Sequence, residues 1–247
     1  MSVLSRRHLV AVVVAAAGLA ALPVLASERY TGSGKQVTET RSGLADFQAV
    51  ASRGSVKLVV RQAAKEAVQV RADDNLLPLV ETTIETQNGS RALVVSLRKN
   101  ASIYTRNPIV VTVDVVALKA LSSSGSGDIE VQALSTPVLS LNMSGSGDAR
   151  FAQLKTDEFT VHVSGSSDVD ASGRAAKLTV GISGSGSARM RELQVDDATV
   201  SIAGSGDAEL SVAKNLAVSI AGSGDVVYHG DAKVASRVAG SGSVTRR

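Results

Sequence analysis

Five aspartates, Asp128, Asp148, Asp168, Asp207 and Asp225, each directly follow a Gly-Ser-Gly or Gly-Ser-Ser tripeptide. Carboxylates recurring in one register have two chemical uses. They can offer oxygens to a hard cation such as calcium, or accept hydrogen bonds from turn N–H groups and serine hydroxyls and so lock a corner. Calcium takes about six to eight oxygens, and one carboxylate per repeat falls well short of that. Corner locking is therefore the favoured reading and weak calcium binding the alternative; no other cofactor is implied. The serines of the tripeptides do not read as nucleophiles, because no Gly-x-Ser-x-Gly elbow lies between a strand and a helix. His162 and His229, the two histidines past residue 26, fall in different parts of the repeat and suggest no shared metal site. No catalytic residue and no metal site is assigned.

These residues must be positioned by a repeat. Gly-Ser-Gly occurs at 125–127, 145–147, 184–186, 204–206, 222–224 and 240–242, with Gly165-Ser166-Ser167 as an imperfect copy, so the turns recur every 18–20 residues. Before each turn runs a strand of alternating apolar residues, such as Leu139/Leu141/Met143 and Leu178/Val180/Ile182, and a shorter one follows it, such as Ile129/Val131. Period-two alternation marks half-buried strands, and a turn at fixed spacing marks a chain wound into stacked coils. The expected fold is all-β: a parallel, right-handed β-helix or solenoid with at least two strands per coil and coils about 4.8 Å apart. A meander of hairpins explains the constant spacing less well.

With the apolar residues inside, the outward positions become readable as columns. Glu130, Arg150, Asp170, Arg189 and Glu209 alternate in sign, which reads as surface salt bridging worth about 0–1 kcal/mol per pair. Ser140, Thr160, Thr179 and Thr199, beside Asn142, His162, Ser201 and Ser219, form a flat hydroxyl-rich strip. Such a face suits contact with glycan, ice or another solenoid; an ordinary solvated sheet face is the plainer alternative.

Composition bounds the rest. Apolar residues make up 44% of the 247 and aromatics only 2%, which suits a narrow core stacked in layers. Residues 1–26 read as a signal peptide: Arg6-Arg7, an apolar stretch Leu9–Leu22, and small residues before a cut after Ala26. The stretch is too short to favour a permanent membrane span, and Ser5-Arg6-Arg7-His8-Leu9-Val10 also fits a twin-arginine export signal. The expected location is periplasmic or extracellular. Cleavage removes two arginines and no acid, leaving 24 basic against 23 acidic residues, with no concentrated basic face for nucleic acid. With no cysteine, there is neither a lipid-anchoring thiol nor a disulfide.

Residues 27–43 read as a flexible lead-in, 44–121 as a β-rich N-terminal part capping the solenoid, and 122–247 as the repeat itself. Within the cap, strands are expected near 47–50, 56–61, 67–71, 79–85, 93–97 and 109–115, with a hairpin turn at Gln87-Asn88-Gly89-Ser90 and a polar loop over Lys99–Pro108. The last coil, closed by Val234 and Val238, has no further repeat beyond it, which invites self-association through the solenoid end.

The order of motifs is that of a known family. Asp46-Phe47-x-x-Val50 precedes Gly54-Ser55-Val56-x-Leu58-x-Val60 and Asp74-Asn75-Leu76-Leu77-Pro78. Pro108-Ile109-Val110-Val111-Thr112-Val113 and Leu118-x-x-Leu121-x-x-Ser124-Gly125-Ser126-Gly127-Asp128 follow. From about residue 44 to about 243 the chain resembles the secreted bacterial family called the putative auto-transporter adhesin head domain, or head GIN domain. Departures are Ser167 for Gly, Ser187 and Ser243 for Asp, and Gln62-Ala63 where a glycine is more usual. The resemblance implies an exported β-helical protein without established activity. The expected role is a non-catalytic binding or structural module of the envelope, adhesin-like or glycan-contacting, with an envelope protein or glycan as partner. A polysaccharide lyase or hydrolase is the alternative, which would need acids converging in a groove.

Overall fold

Each repeat winds once around an apolar interior because most of its inward positions are apolar. The computed structural model describes residues 28–87 and 89–247; the expected leader, 1–26, lies outside the described residues. In chain order the strands are β1 (Glu28–Thr31), β2 (Gln36–Arg41), β3 (Ala49–Arg53), β4 (Lys57–Gln62), β5 (Ala67–Asp73), β6 (Val80–Gln87), β7 (Ser90–Leu97), β8 (Ala101–Tyr104), β9 (Val110–Val115) and β10 (Ala120–Gly125). The repeats follow as β11 (Ile129–Gly145), β12 (Ala149–Gly165), β13 (Asp168–Gly184), β14 (Ser187–Gly204), β15 (Asp207–Gly222), β16 (Asp225–His229), β17 (Lys233–Gly240) and β18 (Ser243–Arg246). From β10 onward every pairing is parallel, with equivalent residues of successive coils in register. The fold is a parallel β-solenoid, and no hairpin meander.

A coil has three sides, one more than the two strands per coil that the sequence set as a minimum. In β11 the buried residues are Ile129/Val131, then Leu134/Thr136, then Leu139/Leu141/Met143, with outward pairs at 132–133 and 137–138 where the chain bends. The middle side carries one polar inward residue per coil at first: the buried Thr136 and Thr156 donate their hydroxyls to the carbonyls of Leu118 (2.8 Å) and Glu158 (3.0 Å), respectively. Variation in repeat length is taken up here. The ladders slip between Phe151 and Leu154, between Asp170 and Gly173, and between Met190 and Gln194. Phe151 and Phe159 meet edge to face at 5.2 Å, and Phe151 is followed by the small Ala171 in the next coil.

The Gly-Ser-Gly corner is fixed by contact between coils. Gly145 has φ +131°, and a Cβ there would lie 2.1 Å from the Gly125 carbonyl oxygen of the coil before it. The Ser146 N–H donates to that same oxygen at 3.0 Å. Only glycine tolerates both the left-handed backbone and the close approach.

The stacking runs without a break across residues 121–122. Gly54-Ser55-Val56 is itself the first corner: the Gly127 N–H donates to the Gly54 carbonyl at 3.0 Å. β3 lies between β10 and β7, and β4 between β11 and β9, all parallel. Beyond these, pairing turns antiparallel: β6 closes one sheet against β7, and β5 and β2 close the other against β9. The turn Leu77–Leu79 and its neighbour Leu76 plug this end of the core.

Two local expectations are corrected. Residues 28–43, expected as a flexible lead-in, carry β1 and β2, which pair with β8 and β5. The expected polar loop 99–108 contains β8. The lead-in is held by these ladders, by Tyr30 and Val37 packed against the core, and by polar contacts that no apolar pattern announces. Buried Asp73 accepts hydrogen bonds from Asn107 Nδ2 (2.7 Å) and Thr105 Oγ1 (2.8 Å), while Ser33 Oγ donates to Asp74 Oδ1 at 2.6 Å. These bonds, from Asn107 foremost and then Thr105, hold the Asp73 carboxyl below the usual range, and the Ser33 bond foremost does the same for Asp74. At the other end the Val234 and Val238 side chains, inward in register, are 38% and 40% exposed.

Candidate functional site

The hydroxyl-rich strip lies on the side of the coil that precedes each Gly-Ser-Gly corner. Its strands are straight because three inward residues alternate there without a bend, so the outward residues of successive coils lie in level rows. One column runs Ser140, Thr160, Thr179, Thr199, Ala217, Ala235. The next runs Asn142, His162, Gly181, Ser201, Ser219, Arg237. All eight candidate contact residues therefore share one face. Ser140 and Thr160 are half-buried and the other six exposed.

The face is larger than the eight residues. A third column, Ser144, Ser164 and Ser183, continues the face to the corner. The His162 ring leans across the neighbouring coil, where a Cβ on Gly181 would stand 2.8 Å from its Nδ1; the gap in the column is thus filled from the side. On the far edge a polar wall rises, with Lys177 facing Glu158 at 3.5 Å and Asn215 donating to Asp197 at 2.6 Å. Between this wall and Thr179, Thr199, Ala217 and Ala235 lies a shallow depression of about 400 Å³, whose floor drops where Thr gives way to Ala.

The Asp column stands on the other side of the corner, away from this face. Each carboxylate reaches forward by one coil. Asp128 Oδ1 accepts the Asp148 N–H at 3.1 Å, Asp148 that of Asp168 at 3.1 Å, Asp168 that of Ser187 at 3.0 Å, and Asp207 that of Asp225 at 2.9 Å. Where Ser187 replaces Asp, the Asp207 N–H turns to the Gly186 carbonyl at 3.3 Å. Among the described residues no three His, Cys, Asp or Glu side chains gather where they could hold a metal ion.

The sign-alternating column stacks in register, yet its ion pairs run partly on the diagonal. Arg189 lies 2.8 Å from Asp168 and 4.0 Å from Asp170, its direct neighbour in the ladder. The bond to Asp168 foremost, and then the charges of Asp168, Asp170 and Asp148, raise the guanidinium pKa. Lys57 pairs with Glu130 at 3.0 Å. His229, at the end of β16, meets Glu209 at 3.0 Å, so the two histidines lie on different surfaces. No helix among the described residues is long and apolar enough to cross a membrane.

Comparison with known proteins agrees with this architecture. A putative adhesin from Bacteroides fragilis superposes with a TM-score of 0.78 at 20% identity, over 88% of this chain and 100% of its own. A putative adhesin from Parabacteroides distasonis gives 0.68 at 24% identity over 89% and 100%. A protein from the same species described as a putative lipid binding protein gives 0.68 at 21% over 89% and 100%. At these identities the likeness is one of fold. No curated protein is matched. The family model described as "Putative auto-transporter adhesin, head GIN domain" matches residues 46–232, and the chain belongs to that family.

Proposed function

We propose that the chain is an exported, non-catalytic binding module whose flat face docks an envelope glycan or envelope protein. The observation that carries this reading is the face itself: columns of short hydroxyl-bearing side chains in register over four coils, beside a walled depression of about 400 Å³. Short side chains lose little conformational entropy on contact, and hydroxyls offer both donors and acceptors to a polar polymer. Family membership supports the adhesive role. The acids support a structural rather than a catalytic part. The Asp column binds backbone N–H groups, and Asp196 faces Arg174 at 3.5 Å and Lys214 at 3.3 Å, whereas glycoside hydrolysis needs paired carboxylates flanking a bound sugar.

The test is a glycan array together with capture from envelope extracts, with and without calcium. Thr179→Glu combined with Thr199→Glu is expected to abolish capture, while Arg150→Glu, on another side of the coil, leaves it intact. Capture that survives the paired change rejects the face as the site. Export rests on the leader at 1–26. A mature N-terminus at Ser27 is expected, and precursor retained in the cytoplasm when Arg6 and Arg7 are both made Lys assigns the twin-arginine route.

A further inference from the structure

The two ends of the solenoid differ. Antiparallel strands and the Leu76–Leu79 segment cover the first, whereas β17 pairs with β15 on one side and with no described residue on the other. β17 is exposed along its whole length. It therefore presents a straight row of unpaired backbone groups, which is a template for another strand. Its inward residues, Val234, Ser236 and Val238, continue the column Leu216, Val218, Ile220 and leave the bottom layer of the core open.

We propose that β17 pairs antiparallel with β17 of a second copy about a two-fold axis through Ser236, giving an end-to-end dimer. The sequence of the strand selects this register. The inward triplet Val-Ser-Val reads the same in both directions, so a dyad at Ser236 sets Val234 on Val238 of the second copy and Ser236 on Ser236. A slip of the pairing by one residue would turn the valines to the solvent face. Moving the dyad to Ala235 keeps the faces in phase but opposes Lys233 to Arg237 of the second copy. Moving it to Arg237 opposes the two arginines. Like charges directly opposite destabilise a sheet. With the dyad at Ser236, Lys233 faces Ala239 and Arg237 faces Ala235.

The same axis fits the pitch of the coil. β18 stands one layer beyond β16 and leaves a step beside β17. Around a dyad normal to the β17 sheet, the step in one copy receives β18 of the other. Both copies use one self-complementary patch, so the assembly closes at two. The inference does not depend on what the flat face binds.

The chain has no cysteine, so a single introduced thiol reports the register. Opposed residues of an antiparallel pair have Cα atoms about 4.5 or about 5.5 Å apart, within the roughly 4.4–6.8 Å a disulfide spans. In the purified protein, light scattering is expected to give twice the chain mass. Ser236→Cys is expected to form a disulfide-linked dimer under mild oxidant far faster than Ser183→Cys, which lies three coils away on the outer face. Ser236→Glu, which opposes two carboxylates on the dyad, is expected to give a folded monomer by circular dichroism and light scattering. A monomeric parent, assemblies larger than two, equal cross-linking of the two cysteine variants, or a dimer that survives Ser236→Glu each overturns the proposal.

Discussion

Asp225 Oδ1 accepts two hydrogen bonds from Ser243, one from its backbone N–H and one from its hydroxyl, both at 2.8 Å. The carboxylate of one coil thus holds the first residue after the corner of the next, and the other four aspartates repeat the N–H half of this link. A hydrogen bond of this kind contributes about 1 kcal/mol net. Asp148→Ala with Asp207→Ala is expected to lower stability by about 2 kcal/mol, read as a shift of the urea midpoint, with Asn at both positions costing less. An unchanged midpoint refutes corner locking, and a calcium-dependent midpoint in the parent assigns the column to the cation.

Glycines of equal backbone sign are expected to differ in what they tolerate. Gly145 and Gly43 both have positive φ, but a Cβ on Gly145 meets the Gly125 carbonyl at 2.1 Å while nothing lies within 4 Å of one on Gly43. Gly43→Ala should cost about 1 kcal/mol for the backbone alone. Gly145→Ala should cost several-fold more, because the preceding coil, which carries the Gly125 carbonyl, must shift as well. Thermal unfolding of the two variants gives the comparison.

Ser167 stands where the six Gly-Ser-Gly corners have glycine, is 1% exposed, and its Oγ has no partner. A buried hydroxyl without a hydrogen bond costs about 1–3 kcal/mol. Ser167→Ala keeps the Cβ and removes the orphan oxygen, and a rise of about 1 kcal/mol in unfolding free energy is expected. Destabilisation on chemical unfolding would show that the hydroxyl has a role in the corner.

The N-terminal tie is expected to weaken in acid. The folded-state pKa of Asp73 lies below its ordinary value, first through Asn107 and then Thr105. Its contribution is therefore full above the unfolded pKa of about 3.9 and is lost as pH falls through the lower folded value. Asp73→Asn should flatten this part of the acid dependence and speed amide exchange in β2 and the 105–107 turn. Exchange that stays at the parental rate would place the tie elsewhere.

The coils were legible because their signal is local. Leu139/Leu141/Met143 and its copies repeat an apolar alternation beside a recurring Gly-Ser corner, and the same parity places Thr160 and His162 on one outward face. The third side was not legible. It contributes Leu134 and Thr136 in one coil but Gly173 and Ala175 two coils later, so it has neither a constant pattern nor a constant length. β1 and β2 escaped because their partners, β8 and β5, are distant in sequence and each strand has only one residue, Tyr30 or Val37, packed on the core, with Asp73, Thr105 and Asn107 adding polar ties. The lean of His162 over Gly181 depends on a side-chain torsion, and no spacing encodes it.

β3 and β4 lie between a coil made later in the chain on one side and another made later still on the other. The oldest turn of the winding is therefore an interior turn, and a nascent chain ending before residue 90 has nothing parallel to lay against it. Growth in length is restricted to one direction: a unit excised between two equivalent corner residues, such as 146–165, rejoins Gly145 to Ser166 in register, whereas the first three coils are interlocked by their order. Shortening and lengthening of the molecule by whole turns is accordingly a freedom of the Gly-Ser-Gly half alone.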